Sequence, residues 1–192
     1  TGKGNYSGTI TRSFTISRRS VILTSASQTR EYNGAALTNG TVTVTGDRWA
    51  AGEGAVYTVT GSQLDVGESL NTFTYTLNSG TKAVNYIVQN IPGRLAVTKN
   101  TSPVTVVAGS GSKIYDGTAL TKNSFTHTGT IASIDVLSAA VAGTRTKAGE
   151  SANVVTSYKV TRASDNRDVT EYYTFAASVN GKLTVEKRKV TL

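Results

Sequence analysis

Apolar and polar residues alternate with a period of two over most of the chain, the spacing that turns one face of a strand to a core and the other to water. Val42 and Val44, Tyr57 and Val59, Phe73, Tyr75 and Leu77, and Leu95 and Val97 mark the expected inward face of residues 41–98. Thr41, Thr43, Thr58, Thr60, Thr72, Thr74 and Thr76 fall on the wet face, where threonine keeps β propensity without adding much apolar area. Gly46-Asp47, Gly52-Glu53-Gly54, Gly61-Ser62, Gly67-Glu68 and Asn78-Ser79-Gly80 interrupt the runs as turns. Residues 104–185 continue the rhythm, with Val104, Val106, Phe125, Ile131, Ile134, Val136, Val155, Tyr158, Val160, Tyr173, Phe175, Leu183 and Val185 as the expected core. Only Ile134 to Ala142 fits a strand and a short helical turn equally well. The pattern predicts an all-β protein.

The chain also repeats itself. Arg30-Glu31-Tyr32-Asn33-Gly34-Ala35-Ala36-Leu37-Thr38 returns as Lys113-Ile114-Tyr115-Asp116-Gly117-Thr118-Ala119-Leu120-Thr121, 83 positions later. Each copy is a tyrosine, an Asn-Gly or Asp-Gly pair and a Leu-Thr that restarts a strand. Glycine supplies the positive φ of a tight turn, and Asn or Asp tolerates it next best. The motif predicts a corner in which Tyr32 and Tyr115 are buried anchors. Val66-Gly67-Glu68-Ser69 likewise returns as Ala148-Gly149-Glu150-Ser151, and Gly93-Arg94-Leu95-Ala96-Val97 as Gly181-Lys182-Leu183-Thr184-Val185.

These matches divide the chain into residues 1–17, the closing hairpin of a preceding repeat; 18–100 and 101–187, two repeat domains; and 188–192, the start of another repeat. A lone hairpin is marginal in water. Tyr6, Phe14 and Ile16 are therefore expected to bury against the first repeat, with one tail strand on its sheet edge.

Composition narrows the function classes. Cysteine is absent, which excludes disulfides and thiolate metal sites. No run approaches the roughly 20 apolar residues of a membrane helix, and the opening residues hold no apolar signal core. The net charge of +8 is not spread evenly: residues 18–100 carry seven Lys or Arg against five acids, and residues 101–187 nine against seven. The surplus lies at joints such as Arg18-Arg19 and Lys187-Arg188-Lys189, as in solvated linkers. Nucleic-acid binding would need aromatics interleaved with the basic residues. No nucleic-acid partner and no membrane insertion are expected.

Candidate chemistry is sparse. His127, the sole histidine, lies in Phe125-Thr126-His127-Thr128 without a nucleophile or metal-ligand partner at a known spacing and reads as a strand residue. Asp165-Asn166-Arg167-Asp168 has oxygen donors but neither the glycine nor the final glutamate of a calcium loop. Glu53, Asp65, Glu68 and Glu150 would have to supply any glycosidase pair, but Gly-Glu-Ser recurs in both repeats and is better read as a turn. Catalytic residues, cofactors and metals are therefore not expected. Trp49, in a glycine-flanked loop, could offer its face to a sugar, although packing is the commoner use of a large aromatic.

The Tyr-Asn/Asp-Gly-x-x-Leu-Thr corner, the Gly-Glu-Ser step, the Asn85-Tyr86 strand and the Gly-Lys/Arg-Leu-x-Val closure resemble the MBG and YDG-type tandem repeats of large bacterial extracellular, adhesin-like proteins. The resemblance covers essentially the whole chain and implies two small Ig-like β-sandwich domains in tandem, with β-grasp-like sheets as the alternative. It implies a non-catalytic stalk repeat at the bacterial cell surface, or else a carbohydrate- or mucin-binding adhesion module. The partners would be neighbouring repeats of the same chain, and a host glycan or mucin in the second case; a monomer is expected. In cysteine-free stalks of this kind a Lys-Asn isopeptide bond can lock the first strand to the last. Lys113, Glu171 and Asn180 have the residue types for it, whereas Arg30, at the place of Lys113, cannot act as the amine.

Overall fold

The computed structural model describes residues 4–5 and 8–191. Fifteen strands follow one another: β1 (Arg19–Ser25), β2 (Gln28–Glu31), β3 (Val42–Gly46), β4 (Ala55–Val59), β5 (Gly67–Asn71), β6 (Phe73–Leu77), β7 (Tyr86–Ile91), β8 (Gly93–Thr98), β9 (Asn100–Ala108), β10 (Gly111–Ile114), β11 (Phe125–Thr128), β12 (Asp135–Ala142), β13 (Gly149–Arg162), β14 (Tyr173–Phe175) and β15 (Gly181–Glu186). The protein is all-β, and the helical content among the described residues is two single 3-10 turns, Ala83–Asn85 and Thr170–Tyr172. The ambiguous stretch after Ile134 is a strand, β12, paired along its whole length with β13.

Each repeat builds the same set of pairings. The opening strand lies between an antiparallel and a parallel neighbour, β3-β1-β7 in the first repeat and β11-β9-β14 in the second. A hairpin follows, β4 with β6 and β12 with β13. A third sheet joins the corner strand in parallel to the closing strand, β2-β8-β5 and β10-β15-β13.

The compact units do not coincide with the sequence repeats. Unit 1 comprises residues 1–27, 39–61 and 70–94, and unit 2 comprises residues 28–38, 62–69 and 95–192. Unit 1 has a small core of Val21, Leu23, Phe73 and Tyr86, flanked by Val42, Val44, Trp49, Tyr57, Val59, Tyr75 and Val88. Unit 2 collects Tyr32, Leu37, Leu95 and Val97 from the first repeat and packs them on Val104, Ala132, Val160, Val169, Tyr172 and Tyr173 of the second. Leu95 and Val97, expected to share a core with Val42 and Tyr57, therefore belong to a different core. Alternation predicts which face of a strand is buried, but not against what. The second repeat also departs from the expected pattern at Val136 and Tyr158, which are 53% and 37% exposed, because β12 turns Asp135 inward.

The tail differs from expectation too. Residues 8–18 form no strand, and Phe14 and Ile16 are each 86% exposed; Tyr6 and Leu192 lie outside the described residues. By the repeat pattern Phe14 and Ile16 take the places of Leu95 and Val97. Leu95 is covered because β8 has β2 and β5 on either side, whereas the tail has no such neighbours among the described residues.

An asparagine clamps the loops of each repeat. Asn71 Nδ2 donates to the carbonyls of Ala26 and Asn39, both at 2.9 Å. Asn153 Nδ2 does the same to Gly109 (2.8 Å) and Lys122 (2.7 Å). Both side chains are fully buried, so each amide needs partners within the protein and finds two in these carbonyls. Gly61 and Gly143 lie against these asparagines so closely that a Cβ would collide with the amide oxygen. Removing one clamp deletes two part-buried hydrogen bonds, at about 1–3 kcal/mol. Asn71→Ala should lower the unfolding midpoint of unit 1, followed in urea through the fluorescence of Trp49, while Asn153→Ala should leave that transition in place.

Candidate functional site

The first corner is built locally before it is buried. Asn33 Oδ1 accepts from Ala35 N at 3.0 Å, a turn that asparagine makes on its own backbone. Gly34 holds φ at +79°. Arg30 closes the turn by donating to the carbonyl of Ala35 (2.6 Å), and Tyr32 N donates to Thr98 O (2.8 Å) at the end of β8. Tyr32 thus leaves the sheet pointing into the second-repeat half of unit 2.

There it reaches Asp135. Tyr32 Oη donates to Asp135 Oδ2 at 2.8 Å, and Tyr173 Oη donates to the same oxygen at 2.6 Å. Arg162 donates to Tyr32 Oη (3.0 Å), and its other guanidinium nitrogens lie 2.7 Å from Asp65 Oδ1 and 3.8 Å from Asp135 Oδ1. Arg167 adds a second ion pair to Asp65. Tyr32 packs edge-on against Tyr172 and Tyr173, with ring centroids 5.0 and 5.7 Å away. Gly34 sits so close that a Cβ there would lie 2.7 Å from Ala132 Cβ.

Asp135 and Arg162 are cross-strand partners on the β12–β13 ladder. Their side chains are 0% and 6% exposed, and charges this buried must be paired. The side-chain partners of the pair come from unit 2, Tyr32 and Asp65 on first-repeat segments and Tyr173 on the second, with Arg167 paired to Asp65 in turn. The arrangement holds the corner in place. No cluster of three or more His, Asp or Glu able to hold a metal occurs among the described residues.

Electrostatics follow from the geometry. Burial is the main cause that pushes the Tyr32 phenol up to about 12, and its bond to Asp135 adds to the shift. Tyr173 moves the same way for the same two reasons. For Asp65, burial alone would raise the carboxyl, but the hydrogen bonds and charges of Arg162 and Arg167 outweigh it, and the net direction is down.

The second corner has the same local build and a different setting. Asp116 Oδ1 accepts from Thr118 N (2.9 Å), Lys113 donates to Thr118 O (2.7 Å), and Tyr115 N donates to Glu186 O (2.8 Å). Tyr115 is nevertheless 43% exposed, whereas Tyr32 is 1% exposed. The expected buried anchor is thus found at Tyr32 but not at Tyr115, whose ring no hairpin covers among the described residues.

The remaining expected sites separate. Lys113 Nζ bonds Asp116 Oδ1 (2.7 Å) and Thr118, not Glu171 or Asn180. It does in the second corner what Arg30 does in the first, so the isopeptide trio is not assembled. Trp49 is half-buried in unit 1, with its ring 4.8 Å from Tyr86 and Nε1 donating to Tyr57 Oη (2.8 Å). His127 is exposed on β11. A groove of about 890 Å³ in unit 2 runs past Ser138, Tyr158, Lys159, Asp168 and Glu171; Tyr158, stacked 4.3 Å from Phe175, is its aromatic member.

Sequence reasoning missed Asp135 and Arg162 altogether. Their signal is a charged residue in register with apolar ones, Asp135 with Leu137, Ala139 and Val141, and Arg162 with Val160. Comparison with known family models, curated proteins and solved structures finds no match.

The raised phenols make unit 2 sensitive to alkali. A tyrosine whose folded value lies above the ordinary one of about 10 contributes fully below that pH and loses its contribution as pH rises through the folded value. Unit 2 should therefore weaken between about pH 10 and 12, and Tyr32→Phe, already destabilised by about 1–3 kcal/mol, should show a shallower loss there in denaturant titrations. At the acid end Asp65 acts oppositely. Its contribution is present above about 3.9 and disappears as pH falls through its lower folded value. Asp65→Asn should flatten that decline.

Proposed function

We propose that this chain is a stalk segment of a bacterial cell-surface, adhesin-like protein, in which repeats hold a distal module at a distance and do no catalysis. The observation that carries this reading is the burial of the Tyr32 corner in a core made largely by the second repeat. A repeat array whose corner locks into the next repeat resists bending and pulling at the joint, as quasi-one-dimensional proteins require. The all-β build, the absence of cysteine and the charge balance of each repeat support the same reading. Within it, each repeat is a small β module. The parallel pairing of β1 with β7 and β9 with β14 favours the grasp-like arrangement over the Ig-like sandwich.

The alternative, a carbohydrate- or mucin-binding module, draws support from the unit 2 groove with its partly exposed Tyr158. Trp49 gives it less, since its ring and its N–H are both engaged within unit 1.

Force spectroscopy and a glycan array separate the two readings. A stalk should unfold at a rupture force that drops when Tyr32 is changed to Ala, and the array should stay at background. Binding to one glycan class that disappears in Tyr158→Ala, with Tyr32→Ala leaving the rupture force unchanged, would replace the stalk by the adhesion module.

A further inference from the structure

Unit 1 repeats the amide, phenol and carboxylate of the tyrosine-binding site. In unit 2, Ala132 N donates to Tyr173 Oη (3.1 Å), and Tyr173 Oη donates to Asp135, which also accepts from Tyr32. In unit 1, Ala50 N donates to Tyr86 Oη (3.1 Å), and Tyr86 Oη donates to Glu53. Ala50 and Glu53 precede Ala132 and Asp135 by 82 positions each, and Tyr86 occupies on β7 the place of Tyr173 on β14. Beside them lies a groove of about 670 Å³, walled by Ile16, Arg18, Ala50, Glu53, Val84 and Tyr86. Arg19, also on its rim, is committed to the carbonyls of Asp47 and Arg48. Among the described residues the Glu53 carboxylate takes one donor, Tyr86, where Asp135 takes two phenols.

The matching ligand is present on unit 2. Tyr115 stands on a finished corner with its ring 43% exposed. Gly117, which holds φ at +86°, has nothing within 4 Å of a Cβ, whereas Gly34 is pressed against Ala132. Charge also fits. The place of Asp65 beside Tyr32 is taken by Lys147 beside Tyr115, next to Lys187 and Arg188. A basic corner suits the Glu53 carboxylate, while Arg18 on the same wall opposes it.

We infer that the groove of unit 1 receives a Tyr-Asp-Gly corner from a second copy of this chain, with the Tyr115 hydroxyl donating to Glu53 as Tyr32 donates to Asp135. The contact is heterologous, corner to groove, so it does not close on itself and association continues end to end. Residues 8–18 hold no strand pairing that would block the approach. The inference rests on the reading of the chain as interlocking repeats and replaces the expected monomer by a concentration-dependent oligomer.

Trp49, packed on Tyr86, reports on the groove. Sedimentation and Trp49 fluorescence over a concentration series should show self-association that weakens with salt. Tyr115→Phe should weaken it about tenfold, the worth of a hydrogen bond to a charged group. Tyr115→Ala and Glu53→Ala should each be monomeric, and their equimolar mixture should form a dimer that grows no further, since it retains one intact corner and one intact groove. Glu53→Gln, which keeps the side-chain size, serves if Glu53→Ala fails to fold by circular dichroism, and should weaken association likewise. A wild-type chain that stays monomeric throughout, or an oligomer that survives Tyr115→Ala, overturns the proposal. Neither result would touch the interlocking-repeat reading, which fails separately if Tyr32→Phe leaves unit 2 as stable as before.

Discussion

A carboxylate buried under two phenols and a guanidinium governs unit 2. An aspartate in an apolar core needs partners, and those of Asp135 come from distant parts of the sequence: Tyr32, Tyr173 and Arg162. Burying such a group costs more than burying an apolar one of the same size, and removing one partner leaves a charge uncompensated. What the cluster supplies is geometry. Apolar packing such as that of Leu37 and Val97 in this core tolerates sliding, whereas a phenol shared between a carboxylate and a guanidinium fixes the corner in one position and one orientation. The ion pairs of Arg162 and Arg167 with Asp65 extend the constraint to the Gly-Glu-Ser turn beside the corner.

That constraint explains why the compact units cut across the repeats. Local turn chemistry closes each corner, as the matching bonds of Arg30 and Lys113 demonstrate. Local chemistry does not bury the tyrosine. Burial requires a hairpin carrying a carboxylate, which β12 and β13 provide for Tyr32. The same corner sequence therefore gives one buried and one exposed ring, and the difference lies in the neighbour.

Much of this was legible in the chain. Alternating Val and Thr reveal the strands, the doubled Tyr-Asn/Asp-Gly reveals the corners, and Gly-Glu-Ser marks corresponding turns. Extending that last motif by two residues would have exposed the clamps at Asn71 and Asn153. The partition of the core was not legible, because period-2 patterning places Leu95 and Tyr57 alike on an inner face without saying which sheets meet. Asp135 and Arg162 escaped for a related reason. A charged residue in a strand reads as solvent-facing unless its partner is known, and the partner Tyr32 stands about a hundred residues away.

The parallel pairing of opening with closing strands has a consequence for how such a chain folds as it is made. Strand β1 cannot complete its sheet until Tyr86 to Ile91 have been synthesised, and β9 must wait for Tyr173 to Phe175. Contacts of such long sequence separation slow folding, because loop closure precedes any gain from pairing. Segments 28–38, 62–69 and 95–98 wait longest, since their core is finished by the following repeat. Emerging N-terminus first, the nascent chain would carry an unclosed, partly apolar half-module at its growing end, and each new repeat would close the one before it.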